Sequence, residues 1–156
     1  MIAGCCELGS LSGHQAGRQL LERLYRMETG EEMPRIRLSA RGKPHFENSP
    51  YYFSISHTSR HAFCVLSTVP VGIDAEELDR PVRLSLAKRI FSPQEQQRFA
   101  QASDQRRAFL ALWVLKEAAA KLSGQGLRGF PNQTRFSLDD PRVWEWDGCL
   151  IAMLTE

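Results

Sequence analysis

The sequence predicts a mixed α/β chain folded as one unit. Apolar residues recur at helical spacing in some segments and alternate with period two in others, and segments of both kinds share the chain between Gly, Pro and Ser turns. Size adds a further constraint: 156 residues with 42% hydrophobic content fill one core and leave little room for two independent ones.

Ala16, Leu20, Leu21 and Leu24 fall at helical spacing within His14 to Tyr25, and Gly30 and Pro34 close that helix. No convincing strand pattern precedes it. Arg35 to Leu38 is a candidate short strand, and Ser39-Ala40-Arg41-Gly42-Lys43-Pro44 is a turn with two basic side chains. Tyr51, Phe53 and Ile55 alternate with Tyr52, Ser54 and Ser56, which predicts a half-buried strand ending at His57, with Ala62 to Leu66 as its hairpin partner. After the linker Thr68-Val69-Pro70, the run Val71 to Glu76 is a strand, and side-chain alternation places Asp74 and Glu76 on one face.

Ser92-Pro93-Gln94-Glu95 is a capping-box pattern with proline at the first helical position, so a helix runs from about 93 to 101. A second cap at Ser103 or Asp104 starts a long helix ending near Gly124. Thr134 to Leu138 is a further candidate strand. Val143 to Trp146 and Cys149 to Leu154 flank Asp147-Gly148, the strongest hairpin signal in the chain; Trp144 and Trp146 are expected one on each face of it.

A net charge of +2 with 24% charged residues creates no bulk demand for a nucleic acid or an anionic membrane. The longest apolar run falls far short of the roughly 20 residues that cross a bilayer, and the N-terminus lacks a basic region followed by an apolar stretch, so a cytoplasmic protein is expected. Cys5, Cys6, Cys64 and Cys149 contain no Cys-x-x-Cys pair and no histidine at metal-ligand spacing, which argues against zinc; Cys64 and Cys149 are expected to be buried free thiols.

The long helix interrupts its own pattern. Phe109, Leu112 and Trp113 set an apolar stripe whose next positions hold Lys116 and Glu117. A carboxylate on an apolar face costs several kcal/mol unless paired, by the order of magnitude for burying charge. Lys121, four residues on, offers Glu117 an ordinary surface pair; a cation offers another. Asp74 and Glu76, followed by Glu77 and Asp79, read on their own as a solvated strand end, and His57 alone reads as a capping residue. Taken together, two same-face carboxylates, a third on an apolar helix face and basic groups at Lys43, His57, Lys116 and Lys121 are the inventory for Mg²⁺ and a diphosphate, since Mg²⁺ takes a few carboxylates together with phosphate oxygens and water.

Phe53-Ser54-Ile55-Ser56-His57, Val71-Gly72-Ile73-Asp74-Ala75-Glu76 and Trp113-Val114-Leu115-Lys116-Glu117-Ala118-Ala119-Ala120-Lys121 resemble, in order and spacing, the signature blocks of the 4′-phosphopantetheinyl transferase superfamily. Gly42-Lys43-Pro44 is similar to a block of its longer, surfactin-synthetase-activating branch, and Phe91-Ser92-Pro93-Gln94-Glu95 to the family's lead into its central helix. The resemblance spans about Gly17 to Leu127. It implies an α/β (α+β) fold of two compressed half-domains related by a pseudo-twofold, about 1–68 and 69–156, within one domain of 1–156 and with the site at their junction. The short trimeric branch, holo acyl carrier protein synthase, fits less well, because 73 residues precede Asp74.

The resemblance further implies Asp74, Glu76 and Glu117 as Mg²⁺ ligands, with Asp74, Glu117 and Lys121 as the catalytic group. Lys121 and Lys116, Ser56 and His57, and Lys43 and Pro44 are implied as coenzyme A contacts, with Arg41 added on proximity alone. The implied reaction is attack of a serine of an apo acyl or peptidyl carrier protein on the β-phosphorus of coenzyme A, releasing adenosine 3′,5′-bisphosphate. Partners are thus a carrier protein and coenzyme A, without nucleic acid or membrane, the protein being monomer or homodimer. The short first half lacks the basic segment that longer relatives use for the 3′-phosphate; Arg18 or Arg23 is the candidate substitute. The competing reading is a non-catalytic module that binds carrier protein or coenzyme A, supported by the missing N-terminal strand.

Overall fold

In the computed structural model, which describes residues 1–126 and 135–156, β1 (Ile2–Glu7), α1 (Gly13–Thr29), β2 (Ile36–Leu38), β3 (Pro44–Phe46), β4 (Tyr52–His57) and β5 (His61–Ser67) form the first half of the chain. The second contains β6 (Val71–Glu77), a 3₁₀ turn at Leu84–Leu86, α2 (Ala87–Ile90), α3 (Pro93–Gln101), α4 (Gln105–Ser123), β7 (Val143–Trp146) and β8 (Cys149–Thr155). Two three-stranded antiparallel sheets result, ordered β1-β5-β4 and β6-β8-β7, beside a small β2–β3 hairpin. In each sheet the last strand of its half lies in the centre, between the first strand and the other arm of a hairpin.

Three apolar layers organise the molecule. Leu20, Leu21, Leu24 and Tyr25 of α1 pack on Phe53, Cys64 and Leu66 of the first sheet. The opposite face of that sheet, Phe63 and Val65, meets Val71, Ile73, Ala75, Cys149 and Ile151 of the second. Phe109, Leu112, Leu115 and Ala119 of α4 cover the far side of the second sheet through Ala152 and Leu154. The order is helix, sheet, sheet, helix, and every layer is closed by the period-two alternation of the strands between them. Cys64 and Cys149 are buried and free, as expected, and burial pushes both thiols up.

The capping signals read from sequence operate. Ser92 Oγ accepts from Glu95 N while Glu95 Oε2 accepts from Ser92 N, with Pro93 at the first helical position. Asp104 caps α4 and Gly124 ends it in the left-handed region. An equivalent capping box at Ser12 and Gln15 opens α1, one residue earlier than the apolar spacing suggested. Asp147 and Gly148 both adopt positive φ, as a tight two-residue hairpin requires.

Three expectations are corrected. A strand does precede α1: β1 pairs residue by residue with β5, from Ile2 opposite Leu66 to Glu7 opposite His61. Trp144 and Trp146, two apart on β7, share a face, as alternation demands; Trp146 lies edge-on to His61 and Phe63. Residues 135–138 form no strand, and Thr134, where that candidate began, lies outside the described residues. Among the described residues no helix is long and apolar enough to cross a membrane.

Candidate active site

β4 and β6 are edge strands of different sheets, and they meet through serine side chains. The N–H groups of Ile73 and Ala75 donate to Ser54 Oγ at 3.0 Å and Ser56 Oγ at 3.1 Å. Ser54 and Ser56, assigned by alternation to a polar face, are buried because that face is the seam between the sheets. Ser56 Oγ in turn donates to Asp74 Oδ1 at 2.9 Å. α4 crosses close above: a Cβ on Gly72 would stand 2.1 Å from the Ala118 carbonyl oxygen, so glycine alone permits the approach. That approach brings the Glu117 and Lys121 turn of α4 over Asp74.

The cleft so formed, about 620 Å³, is lined by His14, Arg41, Lys43, Pro44, Ser56, His57, Asp74, Glu76, Glu117 and Lys121, among others. Nine of the ten residues expected at the site therefore share one cavity. Lys116 does not. It is fully buried on the other side of α4, 2.9 Å from Glu95 Oε2. Helical geometry turns Lys116, expected as a coenzyme A contact, away from the cleft that holds Glu117, since adjacent residues point about 100° apart. The same Glu95 accepts from Phe136 N at 3.0 Å, so the pair ties α3, α4 and the approach to β7 together. Arg18 and Arg23 stand exposed on α1 and do not line the cleft.

The electrostatics are those of crowded carboxylates. Lys121 Nζ donates to Asp74 Oδ1 at 2.8 Å and to the Ile55 carbonyl at 3.2 Å. Burial nevertheless raises the Asp74 carboxyl above its ordinary range, and Lys121 and Ser56 only oppose this. Glu76 accepts from Trp113 Nε1 at 2.9 Å and pairs with Arg80. Trp113, expected in the core, thus orients a site carboxylate, a role that its apolar spacing concealed. Glu117 is pushed up to about 7, chiefly by burial and then by the Asp74 charge, with Glu76 adding to it. Lys43 Nζ donates to the Leu122 carbonyl at the end of α4, and burial lowers its pKa.

These residues fit a divalent cation. Asp74 Oδ2 is buried without a hydrogen-bond partner, and Glu117 is destabilised as a carboxylate by its two acidic neighbours; a cation answers both. Among the described residues no three such groups form a ready metal cage.

Residues 70–147 match the family model of the 4′-phosphopantetheinyl transferase superfamily. The chain is 33% identical over 123 residues to the 4′-phosphopantetheinyl transferase Sfp of Bacillus subtilis (strain 168), covering 76% of this chain and 53% of that protein. It is 34% identical over 122 residues to the 4′-phosphopantetheinyl transferase HetI of a Nostoc species, covering 72% of this chain and 52% of HetI. A further 4′-phosphopantetheinyl transferase of Bacillus subtilis is 39% identical over 89 residues, 55% of this chain and 39% of that protein. The chain spans about half the length of these two full-family relatives, Sfp and HetI.

Proposed function

Because the chain belongs to the 4′-phosphopantetheinyl transferase superfamily, we propose that it moves the phosphopantetheine arm of coenzyme A onto a serine of an apo acyl or peptidyl carrier protein in the cytoplasm. The observation that carries this reading is the convergence of Asp74, Glu76, Glu117 and Lys121 with Lys43, Arg41 and His57 in one cleft. Asp74, Glu76 and Glu117 are the residues that would hold Mg²⁺. Bound there, the ion would neutralise diphosphate charge as it develops.

The serine oxygen attacks the β-phosphorus, the phosphorus–oxygen bond within the diphosphate breaks, and adenosine 3′,5′-bisphosphate leaves. Glu117, which lines the cleft beside Asp74, takes the serine proton as general base. Lys121, which lines the cleft beside Asp74, would neutralise phosphate charge. Lys43, Pro44 and Arg41 border the nucleotide, and Ser56 positions Asp74. Lys116, turned away from the cleft, braces α4 against Glu95.

We further infer that the two halves, about 1–68 and 69–156, are pseudo-twofold relatives within one domain. The matching order of strand, helix and hairpin, with the last strand central in each sheet, supports it. The strand β1 also removes the main support for a truncated, non-catalytic module. Incubation with coenzyme A, Mg²⁺ and a panel of apo carrier proteins, followed by intact mass spectrometry, tests the activity. A mass gain of one phosphopantetheine group that disappears with EDTA and in Glu117→Ala supports it; binding of coenzyme A without any gain across the panel overturns it.

A further inference from the structure

We propose that Arg80 is a built-in competitor for the cation site: its guanidinium and a divalent metal ion exclude each other at Glu76, so that Arg80 sets how tightly the chain takes the ion. The inference rests on the reading above, under which Asp74, Glu76 and Glu117 hold the metal, and it concerns a residue outside that set. Arg80 lies four residues beyond Glu76, in the turn that follows β6, and its Nη1 pairs with Glu76 Oε1. Trp113 Nε1 donates to the same oxygen at 2.9 Å, and the Arg80 guanidinium carbon stands 6.0 Å from the centroid of the Trp113 ring.

The two partners of Glu76 differ in kind. Trp113 is a neutral donor and can keep its hydrogen bond while the carboxylate binds a metal ion. Arg80 brings a full positive charge, and two cations drawn to one carboxylate repel each other. That charge reaches further into the site. Burial first and the Asp74 charge second raise the Glu117 carboxyl, and Lys121 and then Arg80 are the positive charges that oppose them. A guanidinium does not lose its proton in a protein, so Arg80 yields Glu76 only by moving.

Its mounting allows that movement. The backbone is fixed, for the Arg80 N–H donates to the Glu77 carbonyl at 3.2 Å and the Arg80 carbonyl accepts from Arg106 Nη2 at 2.8 Å. The side chain is part-exposed and borders a second pocket of about 350 Å³, lined by His57, Thr58, Ser59, Glu76, Glu77 and Arg80. A guanidinium released from Glu76 therefore has room to turn without a backbone shift, and can share Glu77 with Arg60. Lys121, by contrast, is tied to the Ile55 carbonyl as well as to Asp74.

Titration with Mn²⁺ alone, read from the electron paramagnetic resonance of the free ion, measures metal affinity without relying on turnover. Arg80→Met should bind Mn²⁺ about fivefold more tightly than the wild type, whose affinity is lowered by the fraction of molecules in which Arg80 occupies Glu76; a part-exposed pair supports no larger factor. Arg80→Gln, which keeps a donor but not the charge, should gain likewise, and circular dichroism verifies that each variant is folded. Arg60→Gln removes a charge from the neighbouring Glu77 instead, and its affinity should stay within about twofold of the wild type, since it leaves Glu76 untouched. An unchanged or lower affinity in the Arg80 variants would show that Arg80 only positions Glu76, and an equal gain in Arg60→Gln would reduce the effect to bulk charge; either overturns the competition while leaving the metal site intact. Absence of Mn²⁺ uptake in the wild type and the Arg80 variants alike removes the metal reading and the competition together.

Discussion

Asp74 sits where two demands conflict. Its position on β6, facing α4, buries it, while its partners are one serine hydroxyl and one lysine on the same oxygen, Oδ1. The second oxygen is left without a donor. Glu117 shares the consequence, for the neighbouring negative charge and its own burial hold its carboxyl up at about 7. A carboxyl raised in the folded state binds its proton more tightly there than in the unfolded chain. Stability from this group is therefore present at low pH and is lost as pH rises from about 4.5 to about 7. Replacing Glu117 by Gln should flatten that decline, leaving the variant more stable than wild type above neutral pH by about 1–2 kcal/mol after allowance for a part-exposed side chain. Urea unfolding at a series of pH values measures it, and parallel curves for the two proteins would show that Glu117 is not strained. Saturating Mg²⁺ should narrow the gap by stabilising the wild type alone.

At the scale of elements, α4 carries two unlike faces on adjacent residues, and each is fixed by another element. Glu117 turns to β6 and the cleft. Lys116 turns inward to Glu95, which also closes the capping box of α3 and accepts from Phe136 N. Breaking this buried ion pair from either side, by Glu95→Leu or Lys116→Met, should cost about 3–5 kcal/mol. The double variant should lose clearly less than the two losses combined, because the coupled pair is then removed as a unit. Additive losses in denaturant titrations would mean that the pair is not coupled. The close crossing of α4 over β6 is equally specific: Gly72→Ala would drive a methyl group into the Ala118 carbonyl and should destabilise by about 3 kcal/mol, with thermal unfolding as the measurement.

Much of this was legible in the sequence where local chemistry decides. The capping box at Ser92, the N-cap at Asp104, the Asp147-Gly148 turn and the period-two run through Asp74 and Glu76 each contain their own reason. What escaped depends on distant partners. β1 is written in Ala3, Gly4, Cys5 and Cys6, small residues with little strand preference, and the space at Gly4 is set by distant residues, Leu24 and Leu20 of α1, which would lie 3.3–3.4 Å from a Cβ there. Ser54 and Ser56 look solvated until a second sheet covers them. Lys116 is separated from Glu95 by 20 residues, as the numbering in the sequence shows, and no local period announces that an ion pair will be buried there.

For the whole molecule the decisive feature is that the site lies on the seam between the halves rather than within either. Phe63 and Val65 of one sheet and Val71, Ile73 and Ile151 of the other form a shared apolar layer, and Ser54 and Ser56 close its edge by taking the N–H groups of Ile73 and Ala75. Separating the halves would expose that layer and leave two β6 donors unpaired, so the halves should unfold together. The tryptophans make this measurable, because Trp113, Trp144 and Trp146 all belong to the second half whereas both serines belong to the first. Each serine-to-alanine change should cost about 1–3 kcal/mol by leaving a buried N–H without an acceptor. In a cooperative molecule the Ser54→Ala, Ser56→Ala double variant lowers the urea midpoint seen by tryptophan fluorescence as much as that seen by far-ultraviolet circular dichroism. Were the halves independent, fluorescence from the second half would keep its wild-type midpoint while circular dichroism resolved an earlier transition from the first.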